Sequence, residues 1–70
     1  MIKQLSKPQT EFYHLIRDYL QKNESVTSAE AQILSGKSAA TVRNYFAKLV
    51  SKNLLVAQGE NKARKYFLAN

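Results

Sequence analysis

The residues with most chemistry to offer lie in the stretch 38–52, Ser-Ala-Ala-Thr-Val-Arg-Asn-Tyr-Phe-Ala-Lys-Leu-Val-Ser-Lys. At helical spacing Val42, Tyr45, Phe46, Leu49 and Val50 share one side, which leaves Ala40, Thr41, Arg43, Asn44, Ala47, Lys48 and Ser51 on the other. That outward face mixes small, hydrogen-bonding and cationic side chains. Asn44 can pair with the N6 and N7 edge of an adenine, Thr41 can hydrogen-bond or touch a thymine methyl, and Arg43 can reach guanine or phosphate. Ala40 and Ala47 are small enough to let the helix approach base edges. Lys48, deeper in the helix, suits a phosphate. The alternative for each is an ordinary solvated helix position.

A second group suits the backbone of a polyanion. Thr27, Ser28, Lys37 and Ser38 lie at or beside two helix starts, where backbone N–H groups and the helix dipole favour negative charge. Thr27, Ser28 and Ser38 also read simply as caps, and the two roles are compatible. Further along, Asn61, Lys62, Arg64 and Lys65 bring three cations within four residues. Catalysis finds no such support. The carboxylates are not paired for acid and base work, the serines have no histidine nearby in sequence, and there is no cysteine. His14 is the one histidine and faces away from the apolar side of its helix, so it is expected to be solvated. No catalytic residue, cofactor or metal is expected.

Composition sets the frame for these residues. Seventy residues suffice for one domain with a thin core, expected to span 1–70 with 1–5 as a loose arm. With 44% hydrophobic and 23% charged residues, two glycines and one proline, the chain has the make-up of a folded domain. Without cysteine, the core must be held by packing. No run approaches the roughly 18 apolar residues of a membrane span, so a soluble, cytoplasmic protein with no membrane partner is expected. Eleven Lys and Arg against five Asp and Glu give a formal charge of +6, which favours a polyanion at the surface of so small a body.

The elements that must position the candidates follow from spacing. A first helix is expected over about 7–22: Ser6 and Gln9 form a capping box, Pro8 is tolerated in the first turn, and Phe12, Leu15, Ile16, Tyr19 and Leu20 make an apolar stripe. Asn23 would close it in a left-handed cap. Val26 reads as an apolar plug in a short strand that pairs with a later hairpin. Thr27 and Glu30 form a second capping box, opening a short helix over about 28–35 that Gly36 ends. Ser38 caps a third helix, about 39–52, and Asn53 again suits a left-handed cap. Only Gly36 and Lys37 lie between the second and third helices, so the two must cross steeply. The segment 54–68 reads as a hairpin, with 59–62 as turn chemistry, Tyr66 and Leu68 inward and Phe67 outward. The class is mainly α with a small β-hairpin.

Together these residues resemble the winged helix-turn-helix DNA-binding domains of prokaryotic regulators. The resemblance rests on Glu30-Ala31, Leu34, Gly36, Ser38, Thr41-Val42-Arg43, Leu49-Val50 and Asn53-Leu54-Leu55, followed by Gly59, Lys62, Arg64, Tyr66 and Leu68. Three positions depart from it. Ser35 and Lys37 flank Gly36 where the family usually has apolar residues, so either the turn packs less tightly or Lys37 lays its stem on the core. Asn53 stands where glycine is usual.

The resemblance implies a transcriptional regulator, or its DNA-binding domain, that binds double-stranded DNA. Helix 3 would lie in the major groove, helix 2 on the backbone and the wing on adjacent phosphates. It also implies an alternative, because similar winged helices close larger proteins such as AMP-transferring Fic-type enzymes and helicase-like regulators, where they mediate protein contacts. A weak homodimer or a neighbouring domain is then the protein partner, with Met1, Ile2, Tyr13 and Phe67 as spare apolar surface, although Tyr13, at the edge of the first helix's stripe, reads first as a half-buried flank.

Overall fold

A computed structural model describes residues 5–59 and 64–69 of the chain. Their order is α1 (Lys7–Leu20), α2 (Ser28–Ser35), α3 (Ala39–Ser51), β1 (Leu55–Gln58) and β2 (Lys65–Leu68). Three helices followed by a two-stranded antiparallel hairpin give a mainly α protein of winged-helix-like topology.

Each helix starts where its cap predicts. The Ser6 hydroxyl accepts from the Gln9 N–H while the Gln9 side chain accepts from the Ser6 N–H. Thr27 and Glu30 make the same reciprocal pair at 3.2 and 2.9 Å. Each box satisfies backbone donors that a helix start leaves without intrahelical partners. Ser38 Oγ accepts from the Thr41 N–H at 3.2 Å, opening α3.

The ends differ more. Helix α1 stops at Leu20, two residues short of the expected 22, and Asn23 does not adopt the left-handed conformation, since Asn53 is the one non-glycine residue with positive φ among those described. Instead the Gln21, Lys22 and Asn23 N–H groups all turn back onto the carbonyls of the last turn, and the Asn23 side-chain amide donates to Tyr19 O at 3.0 Å. A side-chain cap thus replaces a backbone one. It releases the chain early enough for Val26 to reach β2.

Helix α3 ends at Ser51, one residue before the expected boundary, and Asn53 follows with φ 64°. The Leu54 N–H donates to Leu49 O and the Asn53 N–H to Val50 O, both at 2.9 Å, which is the Schellman arrangement with asparagine in the place usual for glycine. Gly36, with φ 72°, ends α2. An added Cβ there would meet nothing within 4 Å, so the cost of a side chain is conformational alone. Gly36→Ala is therefore expected to lose about 1–2 kcal/mol in urea unfolding, whereas Asn53→Gly should gain up to about 1 kcal/mol by relieving the same conformation. A gain at Gly36, a loss at Asn53, or no change at either would remove the left-handed caps from the account of these turns.

The buried residues form one cluster fed by every element: Phe12, Ile16 and Leu20 from α1, Val26, Ala31 from α2, Val42, Phe46 and Leu49 from α3, Leu55 from β1 and Tyr66 from β2. No polar or charged residue is buried among those described. Phe46 is the hub. Tyr66 stacks on it at 3.9 Å between ring centroids and an interplanar angle of 14°, and Phe12 meets it edge-on at 5.4 Å. Tyr45 and Val50, expected on this side, are half-buried at its margin.

Leu15 departs from the expected stripe, with 43% of its surface exposed. The buried line of α1 runs Phe12–Ile16–Leu20 at four-residue steps, which drift about 40° per step in one direction; Leu15 lies about 60° from Phe12 in the other.

In the hairpin Leu55 pairs with Leu68, Val56 with Phe67, Ala57 with Tyr66 and Gln58 with Lys65. Val26 joins the other edge of β2 by two hydrogen bonds with Tyr66, Val26 N–H to Tyr66 O at 3.0 Å and Tyr66 N–H to Val26 O at 2.8 Å. The expected pairing of Val26 with the hairpin is thus a two-bond bridge. It fastens the α1–α2 connector to the wing. Leu54, expected in the hairpin, precedes β1, and its carbonyl accepts from the Ala69 N–H at 3.1 Å.

Candidate nucleic-acid interface

The outward face of α3 is set by its buried line Val42, Phe46 and Leu49, which fixes the rotation of the helix. On the opposite side Ala40, Arg43, Asn44, Ala47 and Ser51 are all exposed, at spacings of i, i+3, i+4, i+7 and i+11, one continuous stripe. Thr41 and Lys48 are half-buried at its edges. Thr41 is further committed, because Ser38 Oγ donates to its hydroxyl oxygen at 3.1 Å while accepting from its N–H. Sequence spacing placed Thr41 with the outward donors; its oxygen accepts from the residue three positions back, and its own O–H is left to donate.

The turn ahead of α3 holds two of the three residues singled out in the sequence, Ser35 and Lys37. Ser35 Oγ donates to Ala31 O at 2.7 Å and accepts from the Lys37 N–H at 3.3 Å, so its hydroxyl satisfies backbone at a place where an apolar side chain would only pack. Lys37 is half-buried with Nζ 5.7 Å from the centre of the Tyr45 ring. The ammonium thus stands over the aromatic face, a cation–π contact worth about 0.5–1 kcal/mol where water has access.

Thr27 and Ser28 are half-buried at the start of α2, and Ser38 is exposed at the start of α3. The oxygens of Thr27 and Ser38 accept N–H bonds from their own helices, so both are caps in the free protein. Arg64 and Lys65 are exposed at the start of β2, with Lys65 opposite Gln58. Asn61 and Lys62 lie outside the described residues, as do Met1 and Ile2.

Charge is divided along the chain. Up to Glu30 the sequence has Lys3, Lys7, Arg17 and Lys22 against Glu11, Asp18, Glu24 and Glu30; from Ala31 onward it has Lys37, Arg43, Lys48, Lys52, Lys62, Arg64 and Lys65 against Glu60 alone. All of the positive excess therefore belongs to the turn, α3 and the hairpin. Where the two regions meet, the Tyr19 phenol of α1 is held above its usual 10.0, first by desolvation, then by the charge of Glu30 and a hydrogen bond to it.

No family model matches the sequence, and no curated protein matches it. Among solved structures, the chain is similar to part of the DIP2311 protein from Corynebacterium diphtheriae, at 23% identity over 86% of this chain with a TM-score of 0.77. This chain spans 11% of that protein's length. At such identity the likeness establishes the fold alone.

Tyr13 is half-buried, as expected of a flank at the edge of the α1 stripe, and Arg17 lies over its ring at 6.0 Å. Phe67, expected to point outward, is also half-buried. Ile33 is 84% exposed instead, with Leu34 at 37% and Val56 at 42%. Ile33 follows Ala31 by two residues, about 200° around the helix. A helical wheel anchored on Ala31 would have shown it. His14 is exposed as expected, and no group of three His, Cys, Asp or Glu side chains suited to a metal occurs among the described residues. No helix there is long and apolar enough to cross a membrane.

Proposed function

We propose that the protein binds double-stranded DNA, as a transcriptional regulator or the DNA-binding part of one, with α3 in the major groove and the hairpin on adjacent backbone. One observation carries the reading: from Ala31 onward the sequence has seven cations against one carboxylate, and α3 in this half of the chain carries an exposed helical stripe of small and hydrogen-bonding side chains. Such a surface offers phosphates a positive field and offers base edges Arg43 and Asn44 without bulky neighbours. Ala40 and Ala47 provide the clearance. Thr27, Ser28, Lys37, Ser38, Lys48, Arg64 and Lys65 supply backbone grip, and the role proposed is binding and not catalysis.

Fluorescence anisotropy on labelled duplexes tests this directly. The wild type is expected to bind at about 50 mM salt and to weaken at about 200 mM, and Arg43→Ala combined with Arg64→Ala is expected to cost at least tenfold at either salt. Binding that ignores the two arginines would sink the proposal.

A second reading, an interaction module of a longer protein, is favoured by the exposure of Ile33 and by the small share of the larger similar chain that this fold occupies. Absence of any duplex binding at low salt would leave that reading in place of the first.

A further inference from the structure

Within the stripe on α3, two polar side chains stand between two methyl groups: Arg43 and Asn44 are bracketed by Ala40 and Ala47, and all four are exposed. Thr41 lies half-buried at the edge of the stripe, with its hydroxyl oxygen already accepting from Ser38. What the stripe offers a ligand is therefore a guanidinium fork, a carboxamide with one donor and one acceptor edge, and an apolar contact at either end. From Ala40 to Ala47 is seven residues, about 10 Å at about 1.5 Å per residue. That is close to three base-pair steps of about 3.4 Å.

The major groove presents one feature that matches each of these groups. A guanidinium fork fits the O6 and N7 acceptors of guanine, and a carboxamide fits the N7 acceptor and N6 donor of adenine. An alanine has no hydrogen bond to give, so opposite an amino group or carbonyl it leaves that group without a partner and without water. Opposite thymine it meets the C5 methyl, the apolar feature of the groove. Resting on the duplex-DNA reading above, we propose that α3 selects a site of about four base pairs in which a guanine and an adenine, read by Arg43 and Asn44, are flanked by thymine methyl groups read by Ala40 and Ala47. The methyl groups themselves are part of the recognised chemistry.

Selection from random duplexes with the full chain, followed by anisotropy on the selected duplex and on copies carrying uracil in place of the flanking thymines, separates the possibilities. Uracil removes the methyl and leaves every pairing edge unchanged. The expected result is a guanine and an adenine within the selected site and a loss of about fourfold for each methyl removed, the ratio that burial of about one carbon group produces. Asn44→Ala should abolish the preference for adenine, roughly tenfold or more, with the salt dependence unchanged. Because the uracil comparison alters the DNA alone, it does not depend on any variant folding. Equal affinity for thymine and uracil duplexes, or a selection without the two purines, would overturn methyl and purine reading while leaving duplex binding intact. Failure to bind any duplex would overturn both.

Discussion

Phe46→Ala is expected to lower the unfolding free energy by about 3–5 kcal/mol, the range for removing a fully buried aromatic ring. The site leaves little room for relief. Phe46 is entirely buried, stacked on Tyr66 of β2 and met edge-on by Phe12 of α1, so its ring is the shared contact of the first helix, the third helix and the hairpin. A cavity there cannot close without moving an element, and each element is held by a separate cap or bridge. At about 0.05–0.15 kcal/mol per residue, a chain of this length has roughly 4–10 kcal/mol in all, so this one change removes between a third and the whole of it. Urea unfolding followed by far-ultraviolet circular dichroism measures the loss. A change under about 1 kcal/mol would show that Phe46 is not the hub of the core.

The second large effect is on salt dependence. If Lys37, Lys48, Arg64 and Lys65 each neutralise one phosphate, the logarithm of the binding constant should fall with the logarithm of salt at a slope near −3.6, taking about −0.9 for each contact. Between about 50 and 200 mM salt the affinity then drops roughly 150-fold. Arg64→Ala with Lys65→Ala removes two contacts, so the slope should shrink to about −1.8 and the drop to roughly twelvefold. Both residues are exposed and neither belongs to the core, so the fold should be untouched and the change should appear as grip alone. A slope that stays the same in the variant would remove the hairpin cations from the interface. A wild-type slope near zero would contradict a phosphate-gripping surface altogether.

The residues that carry local information behaved as their chemistry predicts. Ser6 with Gln9, Thr27 with Glu30, and Ser38 each start a helix, because a capping side chain bonds donors two or three residues away and needs no distant partner. Gly36 and Asn53 take the left-handed conformation for the same local reason. The face of α3 was legible too, since the period of Val42, Phe46 and Leu49 fixes which residues point outward.

The misplaced features are those that depend on more than one element. Asn23 was equally suited to a backbone or a side-chain cap, and the reach of Val26 to Tyr66 accompanies the second. Leu15, Ile33 and Phe67 are all apolar, yet their burial depends on which flank of each helix or sheet has a neighbour. Composition and period carry no record of that. Thr41 is a similar case within the candidate interface: its position on the wheel is right, and the hydrogen bond its oxygen accepts from Ser38 appears only in three dimensions.

By itself, then, the sequence determined the order and starts of the helices, the left-handed turns, the presence of the hairpin and the identity of the outward stripe Ala40, Arg43, Asn44 and Ala47. Each of these follows from interactions spanning a few residues or one helical period. Tertiary structure decided where the elements stop, which apolar side chains stay at the surface, and which polar groups on the stripe remain free. Those outcomes are settled by long-range packing: the Phe12–Phe46–Tyr66 contacts orient α1, α3 and β2 together, and only then is each flank either covered or left to solvent.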